Sequence, residues 1–408
     1  MRLAKLNRTW ACLYLCGLFA LAGCGAKPAA NPNAPVQAMT NHGAPVTMAE
    51  AEEFTKKLDA ALLASDMAAL NELIPTEEIL LHGVKGLNAS DASIQGFIRG
   101  MRKSGGMSTQ LADVVQSGGV YKLLRIRDVN RRPQPIYRMQ TPDGAVNYHE
   151  YSLIRYPNGN IGAEDVYIML MGETFGQFMR RLAIMGMAID NKSIFASFSP
   201  EDQLYVKHQK EIMRVLEGIK SAGPPTGAYQ NFRALPVELQ KSKAFQVIGL
   251  QLAQKVGNDE YLQQMKDYQQ FFPDDPSLSL VQIDYFILNN MNQELYDNVV
   301  KLETALGGDP YLKLYKAYAL YALDKAAEGQ KVFADAFAED SSLQSHLVNY
   351  VGLLIMQKKH AAAVQLIKWG EGEKFLELDL ANLRENPEAS DFVASPEFAD
   401  LEKWYTEN

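Results

Sequence analysis

Cysteine is nearly absent from this chain. Its 408 residues contain three cysteines, Cys12, Cys16 and Cys24, so residues 25–408 contain none. Without a thiol, that stretch cannot form a disulfide framework, a thiolate metal site or a catalytic cysteine. These classes of site are excluded for most of the chain.

The motifs of several large enzyme classes are also missing. There is no phosphate loop ending in Lys-Ser/Thr, no Gly-x-Gly-x-x-Gly, no His-Glu-x-x-His and no Gly-x-Ser-x-Gly. The six histidines are scattered, without the spacing of metal ligands. We therefore expect a protein that is not an enzyme, with no catalytic residue, metal or cofactor.

Basic residues are outnumbered by acidic ones. The formal charge is −8, and residues 1–23 contribute three basic and no acidic side chains, so residues 24–408 carry −11. A chain of this charge is poorly suited to nucleic acid or to lying flat on anionic lipid. We expect neither partner.

The first 23 residues have the pattern of a secretory signal peptide. Arg2, Lys5 and Arg8 precede an almost wholly apolar run over residues 10–23, which is 14 residues long. A membrane-spanning helix needs about 20 apolar residues. The basic start, short apolar core and small residues before a cleavage site favour an export signal instead.

The sequence Leu21-Ala22-Gly23-Cys24 resembles the lipobox of bacterial lipoproteins. The resemblance implies diacylglyceryl transfer to the Cys24 thiol, cleavage after Gly23 and acylation, typically with palmitate, of the new amino terminus. Several acyl chains anchor a protein stably, whereas one does not. Gly25 in place of aspartate favours the outer membrane, facing the periplasm. The alternative is an ordinary signal peptide with a chance cysteine.

Residues 24–47 read as the lipidated cysteine followed by a flexible tether. Small and polar residues predominate, and Pro28, Pro32, Pro35 and Pro45 interrupt them. Such a composition buries too little apolar surface to fold. A chain of this length typically reaches roughly 25–30 Å.

Residues 48–190 are predicted to form an α+β domain. Thr47 to Glu50 has the pattern of a helix start, and helical stretches continue to about residue 103. Strands are predicted at 111–115, 121–129, 135–140, 145–156 and 161–170, with a hairpin turn at Asn158-Gly159. A helix follows from about 174 to 188.

The order of these elements resembles the cone fold of the nuclear transport factor two-like and SnoaL-like superfamily. The resemblance implies a curved antiparallel sheet, often holding a small apolar ligand and sometimes an Asp–His acid–base pair. The corresponding candidates here are His149, Glu150, Tyr151 and Asp165. His149 and Glu150 are adjacent on a strand and therefore point to opposite faces, so they cannot act as a pair.

A basic cluster lies within the predicted strands and their turn. Its main members are Arg125, Arg127, Arg131 and Arg132. Arg125 and Arg127 alternate onto one face of the predicted strand. The cluster is either a patch for an anionic partner or a solvated strand surface.

Residues 191–236 read as a helical connector, and residues 237–405 show only helical periodicity. Asp275-Pro276 and Asp309-Pro310 lie 34 residues apart, and Asp340-Ser341 follows. This spacing, with small and bulky residues at set positions, resembles the tetratricopeptide repeat. A Sel1-type repeat or another α-solenoid is the alternative. The matching positions are Asn298, Leu302, Ala305, Pro310, Gly329, Phe333, Ala336, Ser341, Ala363, Ile367 and Gly370.

A solenoid of helix pairs presents a groove lined by the first helix of each pair. The groove candidates are Tyr285, Asn289, Tyr315, Tyr318 and Asn349. We expect a membrane-anchored interaction module that binds another envelope protein, as scaffold, assembly factor or toxin inhibitor. The alternative is a carrier that holds a small apolar ligand in the cone of the first domain.

Overall fold

The computed structural model describes residues 44–85, 91–102, 106–142, 144–190, 198–220, 226–273 and 275–407. The predicted lipobox, most of the tether and part of the connector (191–197) lie outside these ranges. Within them, no helix is long and apolar enough to cross a membrane. The chain divides after Pro273 into two compact units.

The first unit combines an antiparallel sheet with helices. Its strands are β1 (Val120–Val129), β2 (Arg132–Gln140), β3 (Val146–Arg155), β4 (Ile161–Ile168) and β5 (Glu173–Thr174). Its helices are α1 (Met48–Ala64), α2 (Met67–Leu73), α3 (Thr76–Gly83), α4 (Asp91–Arg102), α5 (Gly106–Gln116), α6 (Phe175–Asp190), α7 (Pro200–Lys207), α8 (Gln209–Lys220), α9 (Thr226–Arg233), α10 (Val237–Gln240), α11 (Lys243–Val256) and α12 (Asn258–Phe271).

The five strands pair in chain order, β1-β2-β3-β4-β5, and every pair is antiparallel. The predicted hairpin turn at Asn158-Gly159 is confirmed, and Gly159 adopts the positive φ of 86° that the turn requires. A register shift between Leu123 and Arg125 marks a bulge in β1. Bulges bend and twist a strand, which helps the sheet to curve.

Helix α1 packs on one face of this sheet. Its predicted start is confirmed, because Thr47 and Glu50 form a capping box. The ring of Phe54 lies 5.7 Å from that of Tyr151, and the Tyr137 hydroxyl donates to the Thr55 carbonyl at 3.3 Å. These contacts seal the aromatic face of the central strands.

The prediction of a strand at 111–115 is wrong, because these residues belong to α5. Met107, Leu111 and Val114 are buried at helical spacing. Burial of this stripe outweighs the strand preference of the β-branched residues, which is weak and depends on context. The sequence also failed to indicate α3, which begins directly after Pro75.

The helices after the sheet differ in part from the predicted connector. Ser199 caps α7 as expected, accepting the Asp202 amide at 3.1 Å, but the helix breaks at His208 before α8. Helices α11 and α12, which the sequence assigns to the repeat domain, belong to the first unit. Gly249 of α11 fits against the Phe232 ring of α9, where a Cβ would approach to 2.5 Å.

The second unit is all helical in the residues described. Its helices are α13 (Pro276–Leu288), α14 (Asn292–Leu306), α15 (Pro310–Ala322), α16 (Ala326–Glu339), α17 (Leu347–Met356), α18 (His360–Gly372), α19 (Leu380–Arg384), α20 (Ser390–Val393) and α21 (Pro396–Glu407). A 3-10 turn, Ser341–His346, precedes α17. The predicted order, an α+β part followed by a helical region, is thus confirmed.

Two helices of the second unit begin in the same way, 34 residues apart. Asp275 accepts the Ser277 amide at 2.9 Å, and Asp309 accepts the Tyr311 amide at 3.0 Å. Each aspartate precedes a proline at the first helical position, where no amide is needed. The third such helix, α17, begins differently, after the 3-10 turn.

Small or compact side chains lie between consecutive helices. Gly329 of α16 faces the Tyr321 ring and the Ala317 carbonyl of α15, and an added Cβ would lie 2.6 Å from the ring. Gly370 of α18 faces Leu347 of α17 in the same manner. Between α13 and α14 the position is taken by Asn298, whose amide donates to the Ser279 carbonyl at 2.7 Å.

Candidate functional site

Helix α15 carries a stripe of tyrosines that continues onto α17. The ring of Tyr315 lies 5.7 Å from that of Tyr311 and 5.9 Å from that of Tyr350, nearly perpendicular to both. The His346 ring lies 5.5 Å from Tyr311. Edge-to-face geometry is the favourable arrangement for such rings, so these contacts fix α15 against α17.

Helix α13 contributes a single charged residue, Asp284, to the same region. Its side chain is partly buried, and burial raises its pKa to about 6. The pKa of Tyr315 is also raised, mainly by burial, and the charge of Asp284 is a further cause. The carboxylate therefore lies within electrostatic reach of the Tyr315 hydroxyl.

A hydrogen bond joins α13 directly to α17. The Gln357 side chain at the end of α17 donates to the Ile287 carbonyl near the end of α13 at 2.9 Å. Helices α13, α15 and α17 consequently surround one concave site, which we call the recess. Its members are Asp284, Tyr311, Tyr315, His346 and Tyr350.

The predicted groove residues fall into three environments. Tyr315 lies in the recess and Tyr285 is half-buried, with its ring 5.6 Å from that of Phe286. Asn289 and Asn349 are exposed. The placement of Tyr318 in the groove is wrong, because its side chain is fully buried and packs against Tyr350 at 5.8 Å.

Sequence reasoning missed Asp284, Tyr311 and Tyr350. One signal was available: Asp284 is the single charged residue in the stretch PSLSLVQIDYFIL. A lone acid on an otherwise apolar helix that packs on other helices is a departure from the usual pattern. The tyrosine spacing on α15 was visible too, although the sequence does not show which rings meet.

The four predicted anion-patch arginines do not share one environment. Arg127 forms an ion pair with Glu150 at 2.7 Å, since both lie on the same face of the sheet. Arg131 and Arg132 are exposed at the β1–β2 turn, where Asn130 and Arg131 both have positive φ. Arg125 is half-buried on β1. An anion site at Arg131 and Arg132 stays a prediction.

The candidates in the cone are buried within the protein. The Tyr121 hydroxyl lies 2.6 Å from the Tyr151 hydroxyl and 3.1 Å from His149 Nδ1, and Asn147 Nδ2 lies 3.3 Å from His149 Nε2. Burial lowers the pKa of His149 to about 3, so its ring is neutral at physiological pH. The network orders the sheet interior.

The other two cone candidates are not partners of His149. Glu150 pairs with Arg127 on the opposite face. Asp165 accepts the amides of Val166 at 2.8 Å and Gly176 at 2.9 Å, and thereby holds the start of α6 against β4. An Asp–His pair of the kind implied by the resemblance is not formed by these residues.

A small apolar cavity lies in the first unit between the end of the sheet and helices α6, α8 and α11. Its volume is about 40 Å³, which is enough for about one water molecule. Its lining is mainly apolar and includes Met171, Phe178, Met185, Leu216, Phe245 and Ile248. The buried ion pair of Glu173 and Arg181 forms one wall.

Among the described residues, no group of three or more histidine, aspartate or glutamate side chains is placed to hold a metal ion. Comparison with known proteins yields no relative: no protein-family model, no curated protein and no solved structure matches the chain. Function is therefore inferred from residues and geometry.

Proposed function

We propose that this chain is a lipoprotein of the bacterial envelope whose helical unit binds another envelope protein. The observation that carries the binding proposal is the recess, a concave aromatic site formed by α13, α15 and α17. The lipobox resemblance at Leu21 to Cys24 supplies the anchor and favours the outer membrane, facing the periplasm.

The arrangement of the helices supports a tetratricopeptide-like solenoid. The starts of α13 and α15 share the Asp-Pro cap and a 34-residue spacing. Close contacts within the pairs are made at Asn298, Gly329 and Gly370, three of the small-residue positions of the pattern. Such arrays use the first helices of their pairs to form an extended binding surface.

The composition of the recess suits a protein partner. Tyrosine is enriched at protein interfaces because it combines a large contact area with few rotatable bonds and a polar end. Asn349 and Asn289 are exposed on the same set of helices and offer hydrogen-bonding groups beside the rings. Aromatic anchors surrounded by polar groups form the usual pattern of a binding hot spot.

The anchor is tested by replacing Cys24 with alanine. Cells supplied with an alkynyl fatty acid should label the wild-type protein and leave Cys24→Ala unlabelled. The wild type should sediment with outer-membrane vesicles in a sucrose gradient. Labelling that persists in Cys24→Ala would contradict lipidation at this residue.

The binding surface is tested by site-specific photo-crosslinking in intact cells. A photoreactive amino acid at Asn349, beside the recess, should give a discrete adduct with one other protein. The same amino acid at Glu328, an exposed position on α16, is the matched control and should give none. Adducts that are absent at Asn349, or equal at both positions, would contradict the proposal.

A second candidate function is the binding of a small apolar molecule, favoured by the cavity near α6 rather than by the filled interior of the sheet. At about 40 Å³ the cavity must widen to admit a ligand. Native mass spectrometry of the full chain in detergent should then show an added mass that Leu216→Phe removes by filling the space. Identical spectra without added mass would contradict this candidate.

A further inference from the structure

Asp284 stands out in the recess because nothing in the described part of the chain neutralises it. It forms no ion pair there, and burial alone accounts for its raised pKa. The two lysines of the neighbouring helix α15 are engaged elsewhere: Lys313 pairs with Glu339, and Lys316 lies 3.6 Å from Glu303. The carboxylate is left as an uncompensated negative charge.

A charge in this position is unfavourable for folding. Burying a carboxylate without a partner costs free energy, and for this reason buried acids are nearly always paired. Residues that weaken a fold without a structural role are often those required for binding. The unpaired carboxylate therefore indicates a missing positive partner.

The surrounding groups define the chemistry of that partner. The rings of Tyr311, Tyr315 and Tyr350 lie within 6 Å of one another in sequence, and aromatic faces attract cations. A carboxylate adds a charge-assisted hydrogen bond, which is stronger than a neutral one. An acid among tyrosines is a site for an organic cation. A metal ion would need more oxygen or nitrogen ligands than one carboxylate.

We propose that the recess receives a basic side chain, arginine or lysine, from the partner protein, which forms an ion pair with Asp284 and packs on the tyrosine rings. The inference rests on the proposed function, because it names the chemistry by which the helical unit recognises its partner. The net charge of −11 for residues 24–408 favours the approach of a basic segment.

Short peptides provide a direct probe. Acetyl-Gly-Arg-Gly-amide and acetyl-Gly-Lys-Gly-amide are compared with the citrulline peptide, which has nearly the shape of the arginine peptide but no charge. Binding to the full-length protein in deuterated detergent is followed by saturation-transfer NMR. At least one basic peptide should bind about tenfold more tightly than the citrulline peptide, as expected for the loss of one hydrogen bond to a charged group.

The variant Asp284→Asn keeps the shape of the side chain and removes its charge, so it should reduce binding of the basic peptides to the citrulline level. Asp297→Asn is the matched control, because Asp297 is exposed on α14 and accepts a hydrogen bond from Gln293 at 3.0 Å. It should bind as the wild type does. Near-ultraviolet circular dichroism checks that both variants are folded.

Equal binding of the citrulline and basic peptides, or unchanged binding by Asp284→Asn, would overturn the inference. Equal losses in the two variants would also overturn it, since they would indicate a general charge effect. The crosslink from Asn349 separates this failure from that of the proposed function. An adduct that forms equally in wild type and Asp284→Asn leaves the proposed function standing, whereas the absence of any adduct removes both.

Discussion

Asn298 of α14 donates a hydrogen bond to the backbone carbonyl of Ser279 in α13 at 2.7 Å, at a position where the repeat pattern places a small residue. The amide thus spans a helix–helix contact that Gly329 and Gly370 close by having no side chain. A departure from the pattern in sequence preserves the pairing of helices in structure.

Replacing Asn298 tests this substitute contact. Asn298→Ala should lower the free energy of unfolding by about 1 kcal/mol, because it removes one buried hydrogen bond. Asn298→Leu should cost more, because it also buries the Ser279 carbonyl against an apolar group. Chemical denaturation measures both. As a control, Gln293→Ala on the exposed face of α14 should change little; an equal effect there would contradict the assignment.

Asp284→Asn should stabilise the protein in a pH-dependent way. The folded-state pKa of about 6 lies above the unfolded value of about 3.9, so the charge of Asp284 opposes folding once the pH rises through this window. Stability from the protonated form is present below pH 4 and is lost above pH 6. Relative to wild type, the variant should gain about 2 kcal/mol between pH 4 and pH 7.5.

Urea denaturation at the two pH values measures this gain. His346, Tyr311, Tyr315 and Tyr350 are the other titratable groups of the recess, and all are unchanged in the variant. Asp297→Asn serves as the comparison and should track the wild type at both pH values. A stabilisation that is the same at pH 4 and pH 7.5 would show that the charge of Asp284 is not its cause.

His149 should make the first unit sensitive to acid. Its folded-state pKa of about 3 lies below the unfolded value of about 6.5, so the unfolded chain binds a proton that the folded chain refuses. Stability is therefore lost as the pH falls from about 6.5 towards 3. Between pH 7 and pH 4 the loss due to this group should be about 3 kcal/mol.

The variant His149→Gln removes the titrating ring and keeps a polar side chain. Its stability should fall less than that of the wild type between pH 7 and pH 4, as measured by denaturation followed through tyrosine fluorescence. His208, at the break between α7 and α8, is the control, and His208→Gln should behave as the wild type. Parallel pH profiles for wild type and His149→Gln would contradict the prediction.

The ion pair of Glu173 and Arg181 is mostly buried, with side chains 8% and 18% exposed. Glu173→Gln should cost about 3 kcal/mol, because it leaves the guanidinium buried without its counter-charge. The double variant Glu173→Gln/Arg181→Met should recover much of this loss, since it removes both charges. Thermal and urea unfolding check the cycle, and additive losses in the double variant would contradict it.

Local features of the sequence predicted local features of the structure. The caps at Asp275 and Asp309 and the capping box at Thr47 depend on neighbours within three residues, so their patterns could be interpreted directly. The meander of strands followed from the turns between them. Residues 111–115 were misassigned, because the burial that makes α5 helical depends on distant parts of the chain.

The candidate site was only partly predictable for the same reason. Tyr315 was identified through its place on the first helix of a pair, but the depth of Tyr318 and the company of Asp284 depend on how three helices meet. His149 was expected to be a partly exposed strand residue, and it is buried. The bond between Gln357 and Ile287 joins residues 70 apart, a distance that no periodicity reveals.

That same bond fixes when the recess comes into existence. Ribosomes deliver α13 long before α17, and contacts between distant residues form late because a long loop must first close. Asp284 therefore emerges early and stays solvated until α17 arrives. The partner's site is completed only when the last of its three walls has been synthesised, so a truncated chain ending before residue 357 should carry the acid but not the site.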